Sequence, residues 1–212
     1  MERIRAHPSA GPAGGPDARA PGTFYPARED TFLLAPFARV GPGSTLLEIG
    51  TGAGLLALEA GRSGARVVAT DVNPWALRHL RARARAEGLW VQAVRTDLAA
   101  GLGRFDRILA NPPYLPTGPD ERDPDPWHQL ALDGGPDGCA VTRRILEVLP
   151  DHLAQGASAF VVVSTVQHTR PLEAARERWL DRGGELEVVA SRPLEGERLD
   201  VWRLSLEPDR AP

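Results

Sequence analysis

Two stretches of the 212-residue chain combine residue types that could do chemistry. The first is Glu48-Ile49-Gly50-Thr51-Gly52-Ala53-Gly54, in which a backbone turning sharply must come close to a ligand, an approach that a Cβ would obstruct. A pyrophosphate-binding dinucleotide turn reads G-x-G-x-x-G, but here the third glycine, Gly54, falls one residue early and the acidic Glu48 precedes the first. That pattern disfavours a phosphate. A carboxylate at Glu48 suits a cofactor with a cationic amino group, such as the methionine moiety of S-adenosyl-L-methionine. Asp71 follows about 20 residues on, where a carboxylate can accept hydrogen bonds from both ribose hydroxyls, and Asp97 could accept one from an adenine amino group. Any one of these acids could be a solvated turn or cap, but three at successive strand ends line the crevice where open α/β sheets bind ligands.

The second stretch is Asn111-Pro112-Pro113-Tyr114. The nitrogen of an amide or an exocyclic aromatic amine is a poor nucleophile, because its lone pair is delocalised into the π-system. Carbonyls of the Asn111 side chain and the Pro112 backbone, each accepting one N–H, would fix such a group and aim its lone pair while charge develops on nitrogen. Tyr114 can cover the planar acceptor, and the prolines lock φ and bring no competing N–H. The motif alone serves a glutamine amide and a nucleobase amine equally well. Asn111, Pro112 and Tyr114 are therefore the candidate catalytic residues.

These residues need elements to position them. Short apolar runs at Thr45–Ile49, Arg66–Thr70, Trp90–Arg95, Phe105–Ala110 and Ala159–Ser164 predict strands. Helical patterns lie between them at Leu55–Gly61, Trp75 to about Glu87, Ala140–Leu149 and Leu172–Asp181. Asn73 suits an N-cap and Pro74 the first helical position. Leu77, Leu80 and Ala84 fall at core spacing, and Arg78, Arg81 and Arg85 form a solvated face. Residues 112 to about 136 read as a proline-rich loop. Glu185–Ser191 and Arg198–Leu206 close the chain as two consecutive strands, which breaks the alternation and predicts an antiparallel end. The expected fold is α/β: a Rossmann-like, seven-stranded, mostly parallel sheet with an antiparallel last strand and helices on both faces.

Residues 1–22, rich in Gly, Pro and Ala, are expected to form a disordered tail; 23–207 form the folded domain and 208–212 a C-terminal tail. The net charge of -3 gives no global attraction to nucleic acid. The single Cys139 excludes an internal disulfide and fits a reducing compartment. No signal peptide or run of membrane-spanning length is present, so a cytoplasmic protein is expected. The scattered His7, His79, His128, His152 and His168 show no ligand spacing, and no metal is expected. Trp127 is either a core residue or a grip on substrate. With the acceptor motif intact, a non-catalytic cofactor-binding scaffold is disfavoured.

With these residues in view, the chain resembles the HemK/PrmC family of protein-(glutamine-N5) methyltransferases over nearly all of residues 24 to 206. Beyond the two motifs above, Tyr25-Pro26-Ala27-Arg28-Glu29-Asp30-Thr31-Phe32 is similar to the family's entry segment. Leu130-Ala131-Leu132-Asp133-Gly134-Gly135-Pro136-Asp137-Gly138 is similar to the segment after its catalytic loop. The resemblance implies the class I methyltransferase fold, S-adenosyl-L-methionine as cofactor, and the glutamine of a peptide-chain release factor as substrate. A nucleic-acid amino methyltransferase is the alternative. The resemblance also implies cofactor contacts from Thr31, Glu48, Gly50, Gly52, Gly54, Asp71, Asp97, Leu98 and Asn111. The chain departs from longer bacterial members in lacking their N-terminal helical domain. The similar-sized eukaryotic and archaeal branch can work with a small zinc-ribbon activator protein, and some of its members modify other proteins, including on lysine.

Overall fold

The computed structural model describes residues 24–118, 121 and 123–206, so the expected tails at 1–22 and 208–212 lie outside the described residues. In chain order the elements are α1 (Glu29–Leu34), a 3-10 turn (Ala35–Ala38), β1 (Thr45–Ile49), α2 (Leu55–Arg62), β2 (Arg66–Asp71), α3 (Pro74–Ala86) and β3 (Val91–Arg95). They continue with β4 (Phe105–Ala110), α4 (Pro126–Leu132), α5 (Ala140–His152), β5 (Leu153–Ser164), α6 (Thr169–Asp181), β6 (Gly184–Leu194) and β7 (Glu197–Leu206). The seven strands form one sheet in the order β3-β2-β1-β4-β5-β7-β6. The first five are mutually parallel, and β7 runs antiparallel to both its neighbours. This is the Rossmann-like, mostly parallel sheet with an antiparallel last strand that the alternation and its broken end predict.

Strand periodicity divides the core into two layers. In β1, Leu46 packs into one apolar cluster with Leu56, Leu80, Leu109, Phe160 and Val162, while Leu47 packs into the other with Ile108, Ile145, Leu149 and Trp179. Successive side chains on a strand point to opposite faces, so a central strand covered by helices on both sides is apolar throughout. Each fully buried leucine of this kind stabilises the fold by about 1.5–3 kcal/mol. Between β1 and β4 the strand order reverses direction, and a crevice opens beyond the C-terminal strand ends.

Helix α3 starts as its sequence predicts: the Asn73 side chain accepts the Trp75 amide at 2.9 Å, with Pro74 in the first turn. Its Leu77, Leu80 and Ala84 are buried and Arg78, Arg81 and Arg85 exposed.

Two local expectations, the proline-rich loop and the start of the fifth strand, need correction. The proline-rich loop contains α4, which begins because Asp125 accepts the Trp127 amide at 2.8 Å beside Pro126; with no fully buried residue, α4 has no apolar stripe to announce it. The entry segment winds into α1, burying Leu34 and Asp30. Strand β5 begins at Leu153 rather than Ala159, because its first half carries the exposed Gln155 and Gly156 and lacks a regular pattern. No helix among the described residues is long and apolar enough to cross a membrane.

Candidate active site

A cavity of about 380 Å³ occupies the crevice, and Thr31, Glu48, Gly50, Gly52, Asp71, Asp97, Leu98, Asn111, Pro112 and Tyr114 all line it. Residues separated by up to 83 positions in sequence thus converge, because β1, β2, β3 and β4 end on the same side of the sheet and α1 brings Thr31 to them. Gly54 does not reach the wall. Its φ is +78°, and a Cβ there would come within 2.9 Å of Leu80 Cδ1, so this glycine serves the packing of the turn against α3. Gly50 and Gly52, with φ of +74° and +48°, turn the backbone at the wall itself.

On the cofactor side the carboxylates are already held by the chain. Glu48 is buried; its Oε2 accepts the Thr51 hydroxyl at 2.7 Å and the Ala57 amide at 3.0 Å, tying β1 to the first turn of α2. Burial pushes its carboxyl up to about 8. Asp71 Oδ2 accepts the Gly52 amide at 2.9 Å and Oδ1 the Asn73 amide at 2.8 Å, and burial raises its pKa above the ordinary carboxylate value. Asp97 is the exposed member of the three and pairs with Arg144 of α5. Beside it, Leu98 is the one non-glycine among the described residues with positive φ, +51°, a conformation that stores strain of about 1–3 kcal/mol.

The acceptor side differs. The Asn111 Nδ2 donates to Thr31 Oγ1 at 3.4 Å, while its Oδ1 is buried with no hydrogen-bond partner. Arg107 Nε is the other such atom among the described residues, but its guanidinium lies over the Phe160 ring outside the cavity. The Tyr114 hydroxyl donates to Asp30 Oδ2 at 3.3 Å, and burial together with the adjacent Asp30 charge raises its pKa.

The Gly-Gly-Pro-Asp-Gly segment explains how this loop keeps its shape. The Leu115 amide donates to the Leu132 carbonyl at 3.2 Å, the Gly134 amide to the Leu115 carbonyl at 2.9 Å and the Thr117 amide to the Gly135 carbonyl at 3.0 Å. A Cβ on Gly138 would stand 2.5 Å from the Tyr114 carbonyl, and one on Gly134 would stand 2.6 Å from the Gly138 carbonyl. Gln167 fastens the far side, donating to the Gly138 carbonyl at 2.8 Å and to Thr142 Oγ1 at 3.1 Å.

Residues 21–123 match the Methyltransferase small domain. A putative protein N5-glutamine methyltransferase of Methanocaldococcus jannaschii is 32% identical over 87% of this chain and 93% of its own length. The chain belongs to the protein N5-glutamine methyltransferase family. Within it, mouse methyltransferase HEMK2 is 32% identical over 85% of this chain and 89% of its own length. The release factor glutamine methyltransferase of Mycolicibacterium smegmatis is 34% identical, but the match spans 65% of that longer protein. Among solved structures, the E. cuniculi Mtq2–Trm112 complex, described as responsible for methylation of the eRF1 translation termination factor, superposes with a TM-score of 0.66 at 24% identity. The match covers 87% of this chain and 99% of that one.

The cavity of this N5-glutamine methyltransferase includes Trp127 of α4, one of the two places the sequence left open for it, and also walls that residue types did not announce. Leu130 of α4, Arg144 and Ile145 of α5, and Glu197 at the start of β7 all contribute. For α4 the Asp125-Pro126 pair is a usable helix-start signal. Glu197 carries none, because only the antiparallel insertion of β7 beside β5 brings it to the cavity. Cys139 is fully buried and its thiol is pushed up to about 11 by burial, matching an inert packing role.

Proposed function

We propose that this enzyme transfers a methyl group to the side-chain amide nitrogen of a glutamine in a peptide-chain release factor, and that residues 23–207 act as one catalytic domain. The observation that carries this reading is the buried Oδ1 of Asn111, an acceptor atom without a hydrogen-bond partner on a residue that lines the cavity. A buried acceptor left unpaired costs about 1–3 kcal/mol, and a substrate N–H offsets that cost. The names of the relatives support glutamine as the source of that N–H.

The residues present fit S-adenosyl-L-methionine. The turn at Gly50 and Gly52 would let the cofactor approach the backbone, Asp71 would hold the ribose, and Asp97 with Leu98 would bound the adenine. Glu48 would shape the turn beneath the methionine end through its hydrogen bonds from Thr51 and Ala57. When bound, the cofactor supplies an electrophilic methyl group on a sulfonium. Asn111 Oδ1 and the Pro112 carbonyl accept the two amide N–H groups, orient the nitrogen lone pair and stabilise the positive charge that grows on nitrogen. Tyr114 and Trp127 flank the planar amide and exclude water.

The acceptor side favours a protein over a nucleic acid. Asp30 and Glu197 stand close enough to Tyr114 to raise its pKa, and a phosphate backbone would be repelled there. A cytoplasmic site of action follows from a release-factor substrate. A small zinc-ribbon activator protein is part of the proposal, supported by the partner named in the Mtq2–Trm112 complex.

Incubating the enzyme with labelled cofactor and a release factor, then mapping the label by mass spectrometry, tests the proposal. N5-methylglutamine is the expected product. Label on lysine alone, on RNA alone, or on nothing in the presence of an activator would overturn it.

A further inference from the structure

The orphaned oxygen of Asn111 raises a question of polarity: what decides that the oxygen, rather than the NH₂ of the same carboxamide, is the end left without a partner? The two ends have nearly the same shape, so packing does not distinguish them; only the hydrogen-bond partner on the other side can. That partner is Thr31 Oγ1, 3.4 Å from Asn111 Nδ2. A hydroxyl can donate or accept, so Thr31 by itself leaves the choice open.

The choice is closed one residue earlier. Asp30 on α1 is 5% exposed, and its Oδ1 accepts both the Thr31 amide at 2.6 Å and the Thr31 hydroxyl at 3.2 Å. A carboxylate only accepts, so the Thr31 hydroxyl commits its single proton to Asp30 and presents lone pairs to Asn111. The carboxamide must answer with its NH₂. Its oxygen is then turned away from Thr31 and finds no partner in the protein. The second carboxylate oxygen, Oδ2, accepts the Tyr114 hydroxyl at 3.3 Å. One buried carboxylate thus reaches both polar side chains of the acceptor motif, Asn111 through Thr31 and Tyr114 directly across 84 positions of sequence.

We infer that Asp30 is a positioning residue of the transfer reaction, which acts through Thr31 to fix the Asn111 carboxamide with its oxygen toward the substrate nitrogen. This makes the site selective for an N–H donor, and it gives α1 a role beyond closing the crevice. The inference rests on the reading of Asn111 as the acceptor of the substrate amide.

The test uses D30N, T31V and the double variant of the full chain. D30N replaces an acceptor-only group by one that can donate, which frees the Thr31 hydroxyl to donate to Asn111 and releases the flip. Both single variants are expected to lower kcat on the release factor by about 10- to 100-fold, the scale of a misoriented reacting group. In D30N, KM for the cofactor should stay within about twofold of wild type. Because the two residues act in series, the double variant should lose no more than the more damaging of the two singles.

A readout independent of any substrate accompanies the kinetics. In ¹⁵N-labelled protein, the side-chain NH₂ cross-peaks of Asn111, assigned by their loss in N111D, should move in both D30N and T31V. A wild-type enzyme inactive on the release factor would refute the substrate reading and leave these cross-peaks to decide the role of Asp30. Unmoved cross-peaks, unchanged kcat, a loss confined to cofactor KM or melting temperature, or losses that multiply in the double variant would overturn the inference. If D30N does not fold, T31V alone carries the same cross-peak and kcat expectations.

Discussion

In the cofactor half of the crevice, Glu48 and Asp71 already accept hydrogen bonds from Thr51, Ala57, Gly52 and Asn73, whereas in the acceptor half Asn111 Oδ1 accepts none. The first half is made of local contacts: a strand, its glycine turn and the next helix. The second is assembled from distant pieces, with α1 on one side of Asn111 and the Gly134–Gly138 segment behind Tyr114. A cofactor that returns every turnover is served by a preformed turn whose carboxylates shape the backbone. A substrate amide is served by an acceptor whose desolvation cost is repaid when that amide arrives.

If this division is right, substitutions should separate transfer from cofactor binding. N111A is expected to cut methyl transfer by about 10²–10³-fold, the cost of losing one preorganised group at developing charge. Cofactor affinity, measured by calorimetry, should stay within about twofold. An equal loss of both would erase the distinction between the halves. D71A should do the reverse, weakening cofactor affinity by about 10- to 100-fold through the loss of charged hydrogen bonds. Its kcat at saturating cofactor should change far less.

G138A sharpens the comparison by moving the acceptor loop without touching its chemistry. The new Cβ would meet the Tyr114 carbonyl at a φ of +72°, so a destabilisation of about 1–3 kcal/mol is expected in denaturant melts, with transfer falling more than cofactor binding.

Glu48 gives a pH dependence to the cofactor half. Its folded pKa, about 8, lies above the unfolded value near 4.5. The protonated form is favoured in the fold, so stability is fully present at low pH and falls as pH rises through this window. E48Q keeps an acceptor for Thr51 and Ala57, and its melting temperature should decline less than that of wild type from about pH 5 to about pH 9. Parallel curves would mean that Glu48 does not titrate in the fold. R144A, which breaks an exposed ion pair with Asp97, should change stability by about 0–1 kcal/mol.

What could be read in the sequence follows from the same contrast. β1, β2 and β4 announce themselves through apolar, β-branched runs, and the acidic strand ends fall where a parallel sheet must put them. The cofactor half is therefore legible almost entirely from local pattern. Asn111 is legible from its motif, but its orientation depends on Asp30, and a hydrogen bond across 80 positions leaves no periodic trace. Helix α4 is hidden because it lacks a buried stripe, and Glu197 because its place depends on strand order. Gly54 shows the opposite limit: its position in the motif points to a ligand, while the space it leaves belongs to Leu80.

The most direct test is a crystal structure of the enzyme with a glutamine-containing release-factor peptide and the demethylated cofactor. The account predicts the glutamine amide nitrogen within hydrogen-bond distance of Asn111 Oδ1, with Asn111 Nδ2 still on Thr31. A glutamine bound elsewhere, or an Asn111 oxygen still unpartnered beside it, would contradict the account.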